Sequence, residues 1–363
     1  MIRKAMIMAA GVGTRLNPLT LKVPKPMIPV INRPILDFIL AHLQKFGINN
    51  VVANTHYLAE AIQDVYGEKN HLGINFQYVY ESELTGTAGG VKKTEFFFDS
   101  DETFIVISGD ALTDVNIEKL YEEHKKSGAM ATMALKEIPM AEVEHFGVVM
   151  LDKDSRVAGF QEKPCPEEAK SNLVNTGIYI FEPAIFKYIP ANQFYDFAKN
   201  VFPAMMKNNE ALYAHVISDY WNDIGTIKQY KSSSLELLNS NIGIEMPYTK
   251  TENGWIADTC RVSPLAVFKN TAVIGEGSIV EDNVKFSENN IIGNNCLIKA
   301  GARIENSVIW DNVVIGENVS LDNCIIANNV KIEANLSIAS DVVIGHDKII
   351  SCPEDYLADM IKV

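Results

Sequence analysis

The amino-acid sequence predicts an α/β domain followed by a parallel β-helix, and three observations point to this fold class. Up to about residue 230, short apolar runs alternate with amphipathic stretches, which is the pattern of a mainly parallel sheet covered by helices. After about residue 260, aliphatic or aromatic residues recur every six positions, which is typical of a parallel β-helix. The length of 363 residues allows about two domains.

The first part of the chain contains the expected strands and helices of the α/β domain. We predict strands in the apolar runs AMIMAA, NNVVANT, FQYVYE, TFIVISGD, AMATMALKEI and TGIYIF. Helices are expected in ILDFILAHLQKFG, which ends at Gly47, and in NIEKLYEEHKKSG, where Asn116 is a suitable N-cap and Gly128 follows the last turn. The opening run is about half a dozen residues long and continues into Gly11, so we expect a buried strand there and not a signal peptide.

The six-residue period of the second part defines the expected β-helix. Each short side of a triangular coil contributes one inward-pointing side chain. A sandwich of short strands is the alternative, but the strands of a sandwich do not recur every six residues. The expected inward residues are Ile274, Val280, Phe286, Ile292, Ile298 and Ile304 and then, after a slip, Ile315, Leu321, Ile326, Ile332, Ile338 and Ile344.

We expect the α/β domain to span residues 1–240, the β-helix to span residues 259–363, and a linker to occupy residues 241–258. The β-helix should end in a short helix that begins at Pro353 and packs through Leu357 and Ile361. Three residues break the period, and we expect their apolar side chains to point outward and form the contact of a homo-oligomer: Val308, Ile309 and Trp310.

Composition limits the partners and the compartment. The net charge of −14 and the pI near 5.0 argue against nucleic-acid binding, because a surface that follows nucleic acid needs clustered Lys and Arg. We expect no membrane segment, since no apolar run is long enough to span a bilayer. The five cysteines are far apart and never in a CxxC spacing, which indicates neither a disulfide framework nor a zinc site. A reduced, cytoplasmic compartment is therefore expected.

The stretch MAAGVGTRLNPLTLKVPKP, residues 8–26, follows the first predicted strand. Gly11 and Gly13 allow backbone N–H groups to approach phosphate oxygens, although two glycines alone are a weak signal. Leu16 replaces the third glycine of a dinucleotide fingerprint, and the Gly-Lys-Ser/Thr of a Walker A loop is absent from the stretch. Arg15 and Lys25 add two cations on a segment that prolines stiffen, which suits a polyphosphate; a solvated turn is the alternative.

Two further clusters contain carboxylates at predicted strand ends. Asp110 lies in ISGDALTD and Asp223 in YWNDIGT, and together they could hold Mg²⁺, which favours a few hard oxygen ligands plus phosphates. A capping or turn role for either aspartate is the alternative. In FQEKP, Lys163 could bind a phosphate and Glu162 could accept hydrogen bonds from sugar hydroxyls, unless the two form only a surface ion pair.

With these clusters in this order, the sequence resembles the sugar-1-phosphate nucleotidyltransferases. The signature GxGTRLxPLTxxxPKP is complete from Gly11 to Pro26, and GTAGG, SGD, FGVV, EKP, NTGIY and YWNDIGT follow. The resemblance implies a Rossmann-like mixed sheet, a left-handed β-helix, and transfer of a nucleotidyl group to a sugar 1-phosphate with release of pyrophosphate. It also implies that Arg15 and Lys25 act on the phosphates, and that Asp110 and Asp223 bind Mg²⁺.

The resemblance further implies two sets of binding residues. The expected nucleotide-binding residues are Ala10, Gly11, Gly13, Thr14, Glu81, Gly86, Thr87 and Gly109. The expected sugar-phosphate-binding residues are Gly147, Glu162, Lys163, Asn175 and Thr176.

Glu81 bears on the choice of base. Guanine offers two neighbouring N–H donors that one carboxylate can accept together, whereas the Gln common in uridylyl- and thymidylyltransferases suits uracil or thymine. Glu81 therefore favours GTP. The overall pattern, including LTGTAGG, NTGIYIFEP and the β-helix, resembles the mannose-1-phosphate guanylyltransferases, which implies mannose 1-phosphate as the acceptor. Thymidylyl or uridylyl transfer to glucose 1-phosphate is the alternative, and a solvated strand-end residue is the alternative for Glu81 itself.

Two other classes share this domain plan. A bifunctional relative whose β-helix transfers acyl groups would need a histidine base in the coils, and the repeats offer only His346. A non-catalytic regulatory subunit would be free to lose the charged residues, yet five of them are in place: Arg15, Lys25, Asp110, Lys163 and Asp223.

Overall fold

The computed structural model describes residues 1–67, 70–238 and 243–357. The chain forms two compact units that do not follow chain order. The first unit consists of Met1–Val12, Pro24–Pro26 and Ile35–Asp223, and the second consists of Gly13–Val23, Met27–Pro34 and Ile224–Val363. The signature stretch therefore contributes residues to both units. Residues 241 and 242 of the expected linker lie outside the described residues.

The strands up to residue 223 are β1 (Lys4–Met8), β2 (Pro29–Val30), β3 (Arg33–Pro34), β4 (Asn50–Thr55), β5 (Asn75–Tyr80), β6 (Phe104–Ser108), β7 (Ala111–Thr113), β8 (Ala131–Glu137), β9 (Gly147–Leu151), β10 (Val157–Glu162), β11 (Leu173–Phe181), β12 (Leu212–Ile217) and β13 (Trp221–Asp223). The α-helices of this part are α1 (Ile35–Lys45), α2 (Ala59–Tyr66), α3 (Gly86–Lys93), α4 (Ile117–Ser127) and α5 (Phe202–Lys207). Short 3₁₀ turns span Thr14–Leu16, Leu19–Leu21, Lys25–Met27, Glu95–Phe97, Met140–His145 and Pro183–Tyr188, and a π-helical turn spans Phe197–Val201.

A nine-stranded mixed sheet forms the centre of the first unit. Its main path runs β10-β9-β11-β6-β1-β4-β5, while β8 pairs with β11 and β12. The strands β5, β4, β1 and β6 are parallel, whereas β11 runs antiparallel to β6, β8 and β9. The α/β class is confirmed. The parallel part lies at β5-β4-β1-β6, so the carboxyl ends of these four strands meet at one edge of the sheet.

Local sequence signals set the ends of the helices. The Asn116 side chain accepts a hydrogen bond from the Lys119 N–H at 2.9 Å and begins α4. Gly128 follows the last turn with φ of 64°, a left-handed conformation that glycine adopts without steric cost. Both ends of this predicted helix are confirmed.

The second unit contains a left-handed parallel β-helix. Its strands after residue 224 are β14 (Thr249–Thr251), β15 (Gly254–Ile256), β16 (Arg261–Val262), β17 (Val267–Phe268), β18 (Ala272–Ile274), β19 (Ile279–Val280), β20 (Lys285–Ser287), β21 (Asn290–Ile292), β22 (Leu297–Ile298), β23 (Arg303–Glu305), β24 (Val308–Ile309), β25 (Val314–Ile315), β26 (Ser320–Asp322), β27 (Ile325–Ile326), β28 (Lys331–Ile332), β29 (Val343–Ile344) and β30 (Ile349–Ile350). Its helices are α6 (Ile227–Glu236) and α7 (Glu354–Leu357). The expected packing of the tail through Leu357 and Ile361 concerns side chains outside the described part.

The register of the three parallel sheets explains the slip in the six-residue period. Ile274 pairs with Ile292, eighteen residues later, but Ile292 pairs with Ile309, only seventeen residues later. One side of that coil has five residues instead of six, and Ile309 takes the inward position. The twelve predicted inward residues are all buried, at no more than 5% exposure, and they form one continuous core.

The prediction that Val308, Ile309 and Trp310 point outward is wrong. All three are buried, and Trp310 is only 2% exposed. The indole Nε1 of Trp310 donates to the Tyr230 hydroxyl at 2.7 Å, and that hydroxyl donates to the Pro29 carbonyl at 2.8 Å. Trp310 is therefore covered by α6 of its own chain, which removes the surface that the oligomer contact was to use.

Within the described ranges, the helices are all too short or too polar to cross a bilayer.

Candidate active site

Two aspartates and a lysine form the centre of the candidate site. Asp110 follows β6 after Gly109, and Asp223 ends β13, which pairs with β7 in an antiparallel ribbon. In this ribbon Asp223 lies opposite Ala111, so it stands beside Asp110. The Lys25 ammonium bonds to Asp110 Oδ2 and lies 3.5 Å from Asp223 Oδ1. The structure thus brings together three residues that are distant in the sequence.

The electrostatics of this cluster favour an ionised Asp110. Burial alone would raise the pKa of Asp110, but attraction and a hydrogen bond from Lys25 and a hydrogen bond from Ser108 outweigh it. The net result is a pKa below the usual value for Asp. Ser108 Oγ donates to Asp110 Oδ1 at 2.5 Å, and Lys25 is only 9% exposed. One ammonium thus faces two carboxyl groups.

The donor set of this cluster fits Mg²⁺. The described residues contain no group of three His, Cys, Asp or Glu side chains arranged around a metal. Asp110 and Asp223 nevertheless offer hard carboxylate oxygens from two directions, and two protein ligands leave positions for water and phosphate oxygens. Mg²⁺ usually binds in this manner, through one or two carboxylates and the phosphates of a substrate.

The glycine loop begins at the same edge of the sheet. Ala10 is buried, whereas Gly11 is exposed, and a Cβ built on Gly11 would meet no atom within 4 Å. Packing therefore does not require a glycine at this position. Its backbone is accessible from the open space beside it. Gly109 differs, because a Cβ there would lie 2.8 Å from the Met8 carbonyl oxygen, to which the Gly109 N–H donates at 2.9 Å. Gly109 thus fixes the approach of the β6 end to β1.

Asn54, which sequence reasoning missed, connects the glycine loop to Glu81. Its Oδ1 accepts from the Ala9 N–H at 2.8 Å, and its Nδ2 donates to Glu81 Oε1 at 2.6 Å. A Cβ on Gly90 would lie 2.4 Å from Asn54 Nδ2, so α3 needs a glycine where it crosses this pair. The signal available in the sequence was a polar residue near the end of the buried strand NNVVANT.

Glu81 is engaged entirely by protein donors. It is 1% exposed, and its Oε2 accepts from the Thr85 N–H at 3.0 Å, the Thr85 hydroxyl at 2.5 Å and the Lys93 ammonium at 3.3 Å. Oε1 is taken by Asn54. In this geometry Glu81 holds the loop into α3 and does not offer its carboxylate to a base.

The beginning of α3 is occupied by another loop of the first unit. Gly86 has φ of 77°, and a Cβ there would lie 2.5 Å from the Tyr195 carbonyl oxygen. The same carbonyl accepts from the Ala88 N–H at 3.0 Å. The Thr87 hydroxyl donates to Asp196 Oδ2 at 2.9 Å. Thr87 therefore contacts this loop, and Asp196 is a second residue that the sequence did not single out.

The sugar-phosphate candidates lie on or just after β9, β10 and β11, which follow one another on one side of β6 in the sheet. Glu162 pairs with Gly147 across the antiparallel strands β10 and β9, and a Cβ on Gly147 would be 3.5 Å from Glu162 Oε2. Lys163 follows at the end of β10, is exposed, and donates its backbone N–H to the Phe146 carbonyl at 3.1 Å. Its φ of 46° is uncommon for a residue other than glycine, and such residues concentrate at functional sites.

Asn175 and Thr176 have structural contacts on β11. Asn175 is half-buried and donates to the Tyr179 hydroxyl at 2.7 Å. Thr176 is buried, donates to the Ala134 carbonyl at 2.7 Å, and accepts from Trp221 Nε1 at 3.0 Å through its own carbonyl. Because Trp221 begins β13, Thr176 helps to fix the strand that ends in Asp223. The pairing of β11 with β8 shifts register between Asn175 and Tyr179.

Gly13, Thr14 and Arg15 belong to the second unit. Gly13 has φ of 71°, and its carbonyl accepts from the Leu16 N–H and the Thr20 hydroxyl, both at 2.9 Å. These bonds close the turn Thr14–Leu16 and bury Leu16, while Thr14 and Arg15 remain exposed. The turn presents a guanidinium to solvent on a backbone that is fixed from within.

Comparisons with known proteins agree with this geometry. Residues 4–240 match a family model described as nucleotidyl transferase, and residues 251–353 match one described as the EIF2B subunit epsilon LbH domain. The chain is 35% identical over 318 residues to a UTP–glucose-1-phosphate uridylyltransferase of Synechocystis, covering 83% of this chain and 81% of that protein. It is 30% identical over 305 residues to a mannose-1-phosphate guanylyltransferase of Mycobacterium tuberculosis, covering 83% and 82%.

A solved structure shows the same fold. It is a Bacillus anthracis chain assigned as a glucose-1-phosphate thymidylyltransferase, in complex with sucrose, with a TM-score of 0.59 and 25% identity. The likeness covers 66% of this chain and 97% of that chain. Since the first family model spans more than half of the sequence, the protein belongs to the nucleotidyl transferase family and carries a left-handed β-helix in addition.

Proposed function

We propose that this protein transfers the nucleotidyl group of GTP to mannose 1-phosphate and releases pyrophosphate. The observation that supports nucleotidyl transfer most directly is the cluster in which Lys25 faces Asp110 and Asp223 at the edge of the sheet. A buried lysine beside two aspartates offers the groups that bind a metal-bound triphosphate. The same edge carries the exposed Gly11, whose backbone faces open space.

The reaction depends on position and charge more than on a protein nucleophile. An oxygen of the sugar phosphate attacks the α-phosphorus, a new P–O bond forms, and the bond to the departing pyrophosphate breaks in line. Asp110 and Asp223 would hold Mg²⁺, which neutralises charge on the phosphate oxygens when it is bound. Lys25 and Arg15 supply an ammonium and a guanidinium for the same charge as it develops. The nucleophile is already an anion, so no general base is required.

We propose that residues on β9, β10 and β11 bind the acceptor, the sugar 1-phosphate. Lys163 would bind the single phosphate as a point charge, and Glu162 beside Gly147 would accept hydrogen bonds from sugar hydroxyls. Asn175 would contribute its amide, although Tyr179 now accepts one of its N–H bonds. Thr176 acts through the backbone instead, since its side chain is buried.

The choice of GTP now depends on relatives and not on Glu81. The Mycobacterium tuberculosis relative is a mannose-1-phosphate guanylyltransferase, and it matches along 83% of this chain. Uridylyl transfer to glucose 1-phosphate is the second candidate. The Synechocystis uridylyltransferase favours it through its 35% identity, and the internal bonds of Glu81 remove the physical argument for guanine.

A substrate matrix tests both candidates. Pyrophosphate release would be measured with GTP, UTP, dTTP, ATP and CTP against mannose 1-phosphate, glucose 1-phosphate and other hexose 1-phosphates, with Mg²⁺ present. We expect the highest kcat/KM for GTP with mannose 1-phosphate. The highest value for UTP with glucose 1-phosphate would establish the second candidate, and the absence of release with every pair would support a non-catalytic role.

Replacing Glu81 by glutamine should lower stability and leave base preference unchanged. Glutamine would set an NH₂ group against either Asn54 Nδ2 or the Thr85 donors, and the loss of these buried bonds should cost about 1–3 kcal/mol. Urea denaturation measures the free energy of unfolding, and kcat/KM ratios for GTP and UTP measure preference. Glu83→Gln is the control, since Glu83 is exposed in the same loop. If the ratio of kcat/KM for GTP to that for UTP changed without loss of stability, the result would support a direct contact of Glu81 with the base.

A further inference from the structure

The last complete turn of the β-helix contacts residues 13–23, the part of the signature stretch that belongs to the second unit. This turn, Gly345–Asp347, will be called the last-coil turn. His346 Nε2 lies 2.8 Å from the Leu19 carbonyl oxygen, and because a carbonyl can only accept, Nε2 carries the proton and donates it. The Lys22 ammonium donates to Asp347 Oδ2. Two polar contacts therefore join this turn to the segment that contains Arg15.

Close packing accompanies these polar contacts. A Cβ built on Gly345 would lie 3.2 Å from Pro18 Cβ, so the backbone of the turn runs directly against the proline ring. The His346 ring also packs edge-on against the indole of Trp310, with ring centroids 5.5 Å apart. Trp310 is itself fixed by its hydrogen bond to Tyr230. The imidazole is thus held on one side by the core of the second unit and points its N–H to the signature stretch.

Asp347 is held from the opposite side by a ladder of amide side chains. Asn312 Nδ2 donates to Asn329 Oδ1 at 3.2 Å, and Asn329 Nδ2 donates to Asp347 Oδ1 at 2.7 Å. The three residues have φ between 59° and 62°, as the turns of successive coils repeat the same left-handed geometry. The ladder fixes one carboxylate oxygen and directs the other to Lys22.

The ion pair between Lys22 and Asp347 is too exposed to contribute much to the stability of the fold. The side chains are 62% exposed at Lys22 and 39% exposed at Asp347, and exposed ion pairs of this kind contribute little to folding. The pair can nevertheless orient the segment. Together with the hydrogen bond from His346, it holds the segment at two points, Lys22 and Leu19. Arg15 lies on the same segment, in the turn that Gly13 and Thr20 close.

We propose that His346 and Asp347 are positioning residues that hold residues 13–23 of the signature stretch in the conformation in which Arg15 acts on the triphosphate. The consequence for turnover depends on the proposed function, whereas the consequence for the backbone of residues 13–23 does not. This role also explains why the repeats contain a histidine at position 346 without requiring acyl transfer. The His346 ring contacts Leu19 and Trp310, so it need not serve as an acyl-transfer base.

Two pairs of variants separate positioning from general destabilisation. His346→Phe keeps a ring against Trp310 but loses the donor, and His346→Gln keeps a donor of similar reach. Asp347→Asn keeps an acceptor for Asn329 but loses the charge that Lys22 contacts. Asp341→Asn is the matched control, because Asp341 ends a similar ladder through Asn323 in the adjacent turn column.

The measurements are hydrogen–deuterium exchange of the peptide covering residues 13–23, melting temperature, and steady-state kinetics with the best pair of the substrate matrix. We expect His346→Phe to speed exchange in this peptide and to lower kcat about tenfold, the scale of a modest misplacement of a catalytic group. His346→Gln should stay within about threefold of the parent. The double variant Lys22→Asp with Asp347→Lys should recover most of what either single change loses.

Unchanged exchange of residues 13–23 in His346→Phe would overturn the proposal, and so would equal effects of Asp347→Asn and Asp341→Asn. If His346→Phe does not fold, Lys22→Ala tests the proposal through the contact with Asp347, since the Lys22 side chain is exposed and its loss should also speed exchange of residues 13–23. If no substrate pair releases pyrophosphate, the proposed function fails, but exchange of residues 13–23 still decides whether the last-coil turn holds this segment.

Discussion

Replacing Lys25 by methionine is expected to lower kcat at least about a hundredfold and to strengthen Mn²⁺ binding to the nucleotide-free protein. The loss of kcat follows from removing a fixed cation beside the phosphates, for which such a factor is usual. The gain in metal affinity follows because the Lys25 ammonium now occupies the space between Asp110 and Asp223. A metal ion must compete with it for the same oxygens, so we expect affinity to rise at least about tenfold when the charge is gone.

Electron paramagnetic resonance of free Mn²⁺, or calorimetric titration, measures this affinity without nucleotide. Lys25→Arg is the control, because it keeps the charge and should keep metal binding weak. Asp110 has a lowered pKa in the folded protein, so the stability it contributes is present above its unfolded pKa and falls as pH drops through the folded value. That pH dependence should shrink in the methionine variant. Unchanged Mn²⁺ affinity would show that Lys25 does not occupy the metal position.

Arg15→Ala should lower kcat by about a hundredfold or more and leave the melting temperature unchanged. The exposed side chain lies on the turn Thr14–Leu16, whose closing bonds come from Gly13 and Thr20 and not from the guanidinium. Loss of one contact that strengthens as charge develops usually costs this factor. Arg15→Lys should recover only part of kcat, since an ammonium cannot bind two phosphate oxygens in the planar manner of guanidinium. Normal turnover in Arg15→Ala would exclude the role.

The β-helix could be predicted almost residue by residue because its period is a direct consequence of its geometry. Each inward position must be apolar, and the twelve expected residues are buried. The slip in the period corresponds to a side of five residues. The prediction that the residues at this slip point outward was wrong, since Trp310 is buried. Sequence periodicity reports which residues leave the strict repeat, whereas burial of Trp310 depends on Tyr230, which lies 80 residues away in the chain.

The candidate site was predictable to the extent that strand ends converge. Asp110 ends a strongly apolar run, and parallel strands bring their carboxyl ends to one edge. The position of Asp223 beside it required the ribbon of β7 and β13, for which three-residue strands give almost no sequence signal. Glu81 shows the opposite limit. From the sequence, its carboxylate could bind a ligand or hold the fold together. The hydrogen bond that it accepts from Asn54, on a neighbouring strand, could not be read from the sequence.

The alternation of the signature stretch between the two units bears on how such a protein can change in evolution. The chain passes from one unit to the other four times before residue 36, and once more after Asp223. Recombination at a single junction could therefore not replace the whole unit that contains the β-helix. Any exchange of the C-terminal coils would have to preserve complementarity with residues 13–23 and 27–34, so the most diagnostic motif of the catalytic part and the last coils of the repeat are expected to change together.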